Sequence, residues 1–429
     1  DTRHGTKWPA ALRAQADTEA LSNSNISLCL RDSVAYYRLN GLVMAIQELE
    51  SQFTSGVYTK RPIALVRGRG ARVWDSDENE YVDCVGGQGS VNVGHANPVV
   101  AEAIAKQAQT LITCPEMFYN DRRAELEQKL TSITGMPRVY LCNSGTESVE
   151  AAIKFARLAT KRTGIVAAMR GFHGRTFGAL SATWEKKYRE PFEPLVPDFS
   201  HISYNDVASL DEAVDHKTAA VLLEVVQGEG GVRPGTADFL LKAQEICRDR
   251  GALLMLDEVQ TGFGRTGKMF AFQHYDLRPD LLCVAKSMAG GFPMGATLIG
   301  ARLGAMPSQV HGSTFGGNPL GCAASLAAID FIEEQRLADR AAELGGWFMD
   351  QLKQIESPLI REVRGLGLMV GIELKQKVTP YLQALMDHGV LALPAGLTTM
   401  RFLPPLVVEQ SDLAKVVAAV REVLNKEIA

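Results

Sequence analysis

Apolar positions change their spacing along the chain, and each change predicts a different kind of element. Residues 1 to about 50 are polar and weakly patterned around Ser22-Asn23-Ser24-Asn25, which reads as an extension carrying one or two short helices. Ile63-Ala64-Leu65-Val66, Arg72-Val73-Trp74 and, past a turn at Asp77-Glu78-Asn79, Tyr81-Val82-Asp83 predict small antiparallel strands. From Pro98 onward Val100, Ile104, Ala108 and Leu111 share one helical face. A further helix follows Ser144. Short apolar runs at Ile165–Met169, Ala219–Val226, Ala252–Leu256, Leu281–Ala285 and Ala296–Ile299 then alternate with helical or loop stretches. That alternation predicts an α/β domain with a mostly parallel sheet covered on both faces, whose ligands sit at the carboxyl ends of the strands. Past Phe315-Gly316-Gly317-Asn318-Pro319, a helical repeat runs through Leu337, Ala341, Leu344, Phe348, Leu352 and Ile355. Strands near Gly371–Leu374, Val390–Ala392 and Met400–Phe402 follow. A last helix starts near Ser411, placed to cap it, with Val416, Val417, Val420 and Leu424 as its apolar face. The expected organisation is an N-terminal extension (1–50), the N-terminal part of a small domain (51–97), a large domain (98–318) and a C-terminal small α+β domain (319–429).

Composition narrows the function classes. At 429 residues, 46% of them apolar and 22% charged, the chain has the make-up of a globular protein of more than one domain. Forty-five basic against 49 acidic residues give no support to a nucleic-acid binder held by bulk charge. No apolar run reaches membrane-spanning length, so no membrane partner is expected. The seven cysteines are scattered, with no CxxC pair, which reads as free thiols in a reducing compartment and no metal site. With no secretory pattern at the start, a cytoplasmic location is expected.

Four segments carry candidate chemistry. The strand Leu254-Met255-Leu256 ends in Asp257-Glu258 and a Gly-rich loop, so two acids fall where ligands bind; metal ligation, helix capping and cofactor contact are all open to them. Lys286 ends the run Leu281–Ala285 and enters Gly290-Gly291, where loss of hydration lowers an amine's pKa and frees it as a nucleophile. Asn143-Ser144-Gly145-Thr146-Glu147 opens a helix and is either a plain N-cap or an anion cradle. Gly171-Phe172-His173-Gly174-Arg175-Thr176 offers a ring to stack on a flat cofactor and a guanidinium to fork onto a carboxylate, or else core packing and a surface ion pair. Taken together they match the needs of pyridoxal 5'-phosphate: a lysine for covalent attachment, an acid at the ring nitrogen, an anion site and a planar wall.

Three ordered segments carry a family likeness. They are Asp257-Glu258-Val259-Gln260-Thr261-Gly262-Phe263-Gly264-Arg265-Thr266-Gly267, the Lys286 segment through Gly290-Gly291, and His311-Gly312-Ser313-Thr314-Phe315-Gly316-Gly317-Asn318-Pro319. With these, the chain from about Ser55 onward resembles the class III pyridoxal-phosphate aminotransferases of fold type I. The resemblance implies a large domain with a mostly parallel seven-stranded sheet, a small α+β domain and a homodimer with shared active sites. It implies that Lys286 holds the cofactor, Asp257 meets its ring nitrogen, Gln260 its phenolic oxygen, Gly145 and Thr146 its phosphate, and Phe172 its ring face. Thr314 would reach the phosphate in the partner subunit.

The resemblance is strongest to the branch acting on acetylornithine, ornithine and carrier-linked aminoadipate semialdehyde. It implies that Arg175 and Arg401 each take a carboxylate of glutamate or 2-oxoglutarate, that Glu229 masks Arg401 for a substrate with a distal amine, and that Ser313 contacts substrate. Ser55-Gly56-Val57-Tyr58, Met169-Arg170-Gly171-Phe172, Thr183–Phe192 and Arg364–Gly371 are similar to the carrier-linked enzyme, which places Tyr58 among the substrate contacts and adds a small acidic carrier protein as a partner. The basic run Lys60, Arg61, Arg67, Arg69 and Arg72 is its candidate docking surface or a solvated strand face. The rival readings are a 4-aminobutyrate or other ω-amine transaminase, an aminomutase of the glutamate-semialdehyde type, and a cofactor-binding regulator without turnover.

Overall fold

The computed structural model describes residues 26–31, 34–39 and 42–425, with side chains from 45 onward. Its contacts separate two compact units, one holding the chain up to Arg67 with Val73–Glu80, the other holding Gly68–Arg72 and everything from Tyr81. In the first, Ile26–Arg31, Val34–Leu39 and Leu42–Ala45 pair antiparallel in the registers Ile26↔Leu39 and Tyr36↔Ala45, and a helix follows at Ile46–Phe53. Short helices were expected across this stretch; the Ser22–Asn25 cluster lies outside the described residues. The strand signal there is local: Val34, Tyr36 and Tyr37 favour extended backbone, and Asn40-Gly41 separates the runs with a two-residue hairpin dipeptide. At the expected turn, Asp75 accepts hydrogen bonds from the backbone N–H groups of Asp77 and Asn79.

The second unit is built on a seven-stranded sheet. Its strands are β1 (Arg138–Cys142), β2 (Gly164–Ala168), β3 (Phe199–Ile202), β4 (Thr218–Leu223), β5 (Leu253–Asp257), β6 (Leu281–Val284) and β7 (Gly295–Ile299). They lie in the order β1-β7-β6-β5-β4-β2-β3. Only β7 runs against its neighbours. Alternate residues enter different cores: Leu254, Leu256, Leu282 and Val284 belong to one, Leu253, Met255, Leu281 and Cys283 to the other. The second core is completed by Val149, Ile153 and Phe155 of the Gly145–Thr160 helix. Burial on both faces is why β4 to β7 read as mostly apolar runs rather than alternating ones. β1 and β3, which the apolar pattern did not reveal, are the two edges.

Downstream, β8 (Ile360–Leu366), β9 (Met369–Leu374), β10 (Leu393–Ala395) and β11 (Thr399–Phe402) form an antiparallel sheet in the order β8-β9-β11-β10. Val390–Leu391 pairs in parallel with Val82–Asp83. The last helix, Gln410–Asn425, starts one residue before Ser411, and Glu409 O accepts from the N–H groups of Asp412 and Leu413, so Ser411 sits in the first turn instead of capping it. Fully buried Arg265 ties distant segments together, donating to Leu368 O, Pro404 O and Asn92 Oδ1. Among the described residues no helix is long and apolar enough to cross a membrane.

Candidate active site

Five parallel strands deliver their carboxyl ends to one cavity of about 390 Å³. β1 leads into Ser144 and the Gly145–Thr160 helix, β2 into the Arg170–Thr176 loop, and β4 into Glu224; β5 ends at Asp257, and β6 leads to Lys286. Ser144 caps the helix, accepting from Glu147 N at 3.3 Å, while Glu147 accepts from Asn143 N at 2.7 Å. The first N–H groups of a helix have no partner within it, and Gly145 and Thr146 line the cavity at this end. The packing is close: a Cβ on Gly145 would lie 2.7 Å from Val259, and one on Gly174 2.7 Å from the Cβ of Thr146.

Lys286 takes a left-handed φ of 46° directly after extended Ala285, a conformation costing about 1–2 kcal/mol outside glycine. The turn puts its amine in the cavity, where it makes no hydrogen bond or ion pair among the described residues. Burial lowers its pKa below the ordinary lysine range; Glu229 and Asp257 oppose the shift and Arg401 adds to it.

Asp257 is buried, its Oδ1 accepting from Val259 N at 3.0 Å and its Oδ2 lying 2.8 Å from His173 Nδ1. Burial drives the His173 pKa down, but the Asp257 bond and charge, with Glu224 behind them, outweigh it and hold the imidazole above its ordinary value. Glu224 is buried beside them, pushed up to about 7 by loss of hydration. Its two oxygens accept from Phe172 N and Gly228 N, each at 3.0 Å. One carboxyl thus fixes the backbone of the ring-bearing residue and of the residue preceding Glu229.

Arg401, on β11, is buried with its guanidinium 2.7 Å from Glu229 Oε1 and donates to Gln260 Oε1 at 3.1 Å. Its Nε is buried without a partner among the described residues. Gly228 leaves room for Gln260, whose Cδ would be 2.7 Å from a Cβ there. Arg175 is exposed at the rim, its guanidinium stacked 3.6 Å above the Tyr188 ring.

The sequence model described as aminotransferase class-III matches residues 54–424. The chain belongs to the class III aminotransferases. It is 50% identical over 382 residues to LysW-aminoadipate semialdehyde transaminase of Deinococcus radiodurans, covering 88% of this chain and 89% of that protein. It is 44% identical to acetylornithine aminotransferase of Methanothermobacter thermautotrophicus, over 89% of this chain and 98% of the relative. Among solved structures, ornithine aminotransferase from Toxoplasma gondii superposes with a TM-score of 0.86 at 34% identity, covering 88% and 93% of the two chains; pyridoxal phosphate is present there at partial occupancy.

Class III aminotransferases depend on pyridoxal phosphate, and this aminotransferase has the residues for it. An unpartnered amine, a carboxylate at a strand end backed by a buried imidazole, a helix N-terminus and a ring in the same cavity match the parts of that cofactor. The structure brings together Lys286, Asp257, Gly145, Thr146, Phe172, Gln260, Arg175 and Glu229 as cavity lining, with Arg401 bound to two of them. Ser313 stands one step out, accepting from cavity-lining Asn143 at 3.1 Å. Thr314 is exposed in the adjoining loop and does not line the cavity of its own chain; Tyr58 is exposed in the other unit. In the basic run, Lys60 pairs with Glu50, Arg67 with Glu78 and Arg72 with Asp412. Sequence reasoning missed Glu224, although it too follows a buried apolar strand, because the expected strand ran through it to Val226. It also left His173 without a partner and Tyr188 without a role.

Proposed function

We propose that this aminotransferase moves an amino group between glutamate or 2-oxoglutarate and the terminal aldehyde or amine of an amino-acid derivative, a carrier-linked aminoadipate semialdehyde or N-acetylornithine, and works as a homodimer in the cytoplasm. The observation that carries the reading is the Glu229–Arg401 ion pair, 2.7 Å long, beside the cavity that holds Lys286. An enzyme alternating between a dicarboxylate and an ω-amine needs a cation that is open for one and hidden for the other. Glu229 neutralises buried Arg401 while an ω-amine chain lies in the cavity; a glutamate carboxylate displaces Glu229 and takes the guanidinium. Arg175 at the rim takes the remaining carboxylate of either substrate.

Pyridoxal phosphate supplies the electron sink for the carbon that loses its proton. Lys286, depressed in pKa by burial, is the amine that takes and returns that proton. Asp257, held by His173 and Val259 N, is the carboxyl that would meet the ring nitrogen. Phe172, fixed through Glu224, forms the flat wall, and the Gly145–Thr160 helix presents N–H groups to an anion.

Support for the dimer comes from the surface. Leu111, Ile112, Met117, Phe118, Tyr119 and Phe315 are exposed. Arg123 draws their loops together by donating to the carbonyls of Cys114, Phe118 and Gly317. A large exposed apolar patch marks an interaction site, and Thr314 stands beside Phe315. The carrier-linked substrate rests on the likeness to the Deinococcus enzyme.

The deciding experiment is a single-turnover screen: cofactor-loaded enzyme mixed with glutamate, N-acetylornithine, ornithine, carrier-linked lysine and 4-aminobutyrate, followed by cofactor absorbance. Fast reaction of glutamate with N-acetylornithine or the carrier-linked amine is expected. If 4-aminobutyrate outruns both, the substrate assignment is wrong; if glutamate does not react, the role of Arg401 is wrong.

A further inference from the structure

Past Phe172 and Glu229 the catalytic cavity adjoins a second one of about 460 Å³, and those two residues line both. Tyr188 is the other link: its ring lines the outer cavity and carries the Arg175 guanidinium at 3.6 Å. A substrate whose α-carboxylate sits on Arg175 therefore has its α-substituent against the wall that opens outward. Trp184, Pro394 and Leu397 give that outer cavity apolar sides.

Its charges are unbalanced in a definite place. Glu373 on β9 is taken up by three guanidinium groups: Arg233 at 2.8 Å, Arg361 at 3.1 Å and Arg364 at 2.6 Å. Glu229 is taken up by Arg401. Arg170 and Lys187, both exposed and both lining the cavity, have no ion-pair partner among the described residues. Lys187 rests 4.8 Å above the Tyr188 ring. Arg170 holds a left-handed φ of 66°, with its carbonyl against Gly230, where a Cβ would come within 2.6 Å of it. The Arg170 backbone is thus fixed by its packing against Gly230. Burial lowers the pKa of Arg233, with the charges of Arg364 and Arg170 adding to that shift and those of Glu373 and Glu362 opposing it.

We propose that this outer cavity is a subsite for a second carboxylate, carried on the acyl arm of an Nα-acylated ω-amino substrate and held by Arg170 and Lys187. The inference rests on the reading of the enzyme as an ω-amine aminotransferase and specifies which substrates it prefers: those whose α-amine carries an acidic arm over those with a neutral acetyl group. The aliphatic part of the arm lies along Trp184 and Leu397, and its carboxylate replaces water around two cations that have no ion-pair partner among the described residues, Glu185 being the one acid of the lining that is likewise unpaired there.

The test uses the full-length, cofactor-loaded enzyme with two matched probes, Nα-acetylornithine and Nα-glutarylornithine, which differ in a terminal carboxylate. The wild type is expected to favour the glutaryl probe in kcat/KM by about tenfold or more, with less preference at high salt. Arg170→Gln combined with Lys187→Gln is expected to erase that preference through KM, leaving kcat, the acetyl probe and the glutamate half-reaction unchanged. Equal kcat/KM for the two probes in the wild type, or an equal loss of both in the variant, overturns the subsite. Unreactive analogues keep the two readings apart: Nα-glutarylnorvaline and Nα-acetylnorvaline are compared as inhibitors of the glutamate half-reaction. If neither ornithine derivative turns over, the ω-amine assignment fails. The subsite then stands on tighter inhibition by the glutaryl analogue that the double variant abolishes, and falls if the two inhibit alike.

Discussion

Lys286 and Glu229 show how a few side chains divide the work of one cavity. The Lys286 amine has lost its hydration and has no partner among the described residues, so its pKa lies below the ordinary lysine range and its free-base form is more accessible than that of a surface lysine. Lys286→Ala is expected to lower the single-turnover rate with glutamate by about 10⁴-fold, the upper end of what a positioned base contributes, with an unchanged far-UV spectrum. A rate within tenfold of wild type would mean that another group moves the proton. Glu229→Gln leaves Arg401 buried and permanently open. A carboxylate can still pair with it, whereas an ω-amine chain cannot. The glutamate half-reaction should hold or improve while that of the ω-amine falls by about tenfold or more; an equal fall in both would reduce Glu229 to a structural part. Lys286 and Asp257 were legible because each ends a buried apolar run. Glu224 was hidden by the same signal, since Val225 and Val226 continue the apolar run past it. The His173–Asp257 bond joins positions 84 apart in sequence, which no spacing reveals.

At the level of elements, strands buried on both faces were the legible ones. β4 to β7 are buried along their whole length and mostly apolar because both faces are covered. β3, Phe199-Ser200-His201-Ile202, mixes polar and apolar residues as an edge strand can, with Ser200 exposed, and so left no run to find. Loops depend on contacts that the sequence does not order. Gly174 has a φ of 133°, and a Cβ there would fall 2.7 Å from Thr146 Cβ and 3.0 Å from Ala179 Cβ. Gly174→Ala should therefore push the Phe172–Arg175 loop away from the helix start that presents Gly145 and Thr146. The expected result is cofactor affinity weakened by about tenfold or more, with a stability loss of about 1–3 kcal/mol, read by cofactor titration and by thermal melting of the apoenzyme. Unchanged affinity with lowered stability would show that the loop moves without disturbing the cradle.

For the whole molecule, the buried acids set how stability depends on pH. Glu224 and Glu258 are each pushed from 4.5 to about 7 by burial, and the unfolded chain keeps the ordinary value. As pH rises from 4.5 to 7 the unfolded chain releases these protons while the folded chain retains them, so stability falls. Each acid accounts for at most about 3 kcal/mol across that window. His173 is also raised, so its contribution, full below 6.5, is lost as pH climbs through its folded value. Glu373 acts in the other direction: although burial opposes it, its three arginines hold it below 4.5, and the stability it gives is present above 4.5 and lost as acid protonates it. His201, lowered to about 4 by burial, works against the two acids over the same window, because the unfolded chain holds a proton there that the folded imidazole does not, so the net profile is a balance of opposed groups. Glu258 accepts from Ala271 N, Phe272 N and the Thr261 hydroxyl, so Glu258→Gln will lower stability at every pH. The slope is the informative quantity, because a glutamine has no proton to retain. The melting temperature of Glu258→Gln should fall less steeply between pH 5 and 8 than that of the wild type. Parallel curves would mean that Glu258 is already ionised in the folded chain, its three donors having outweighed its burial.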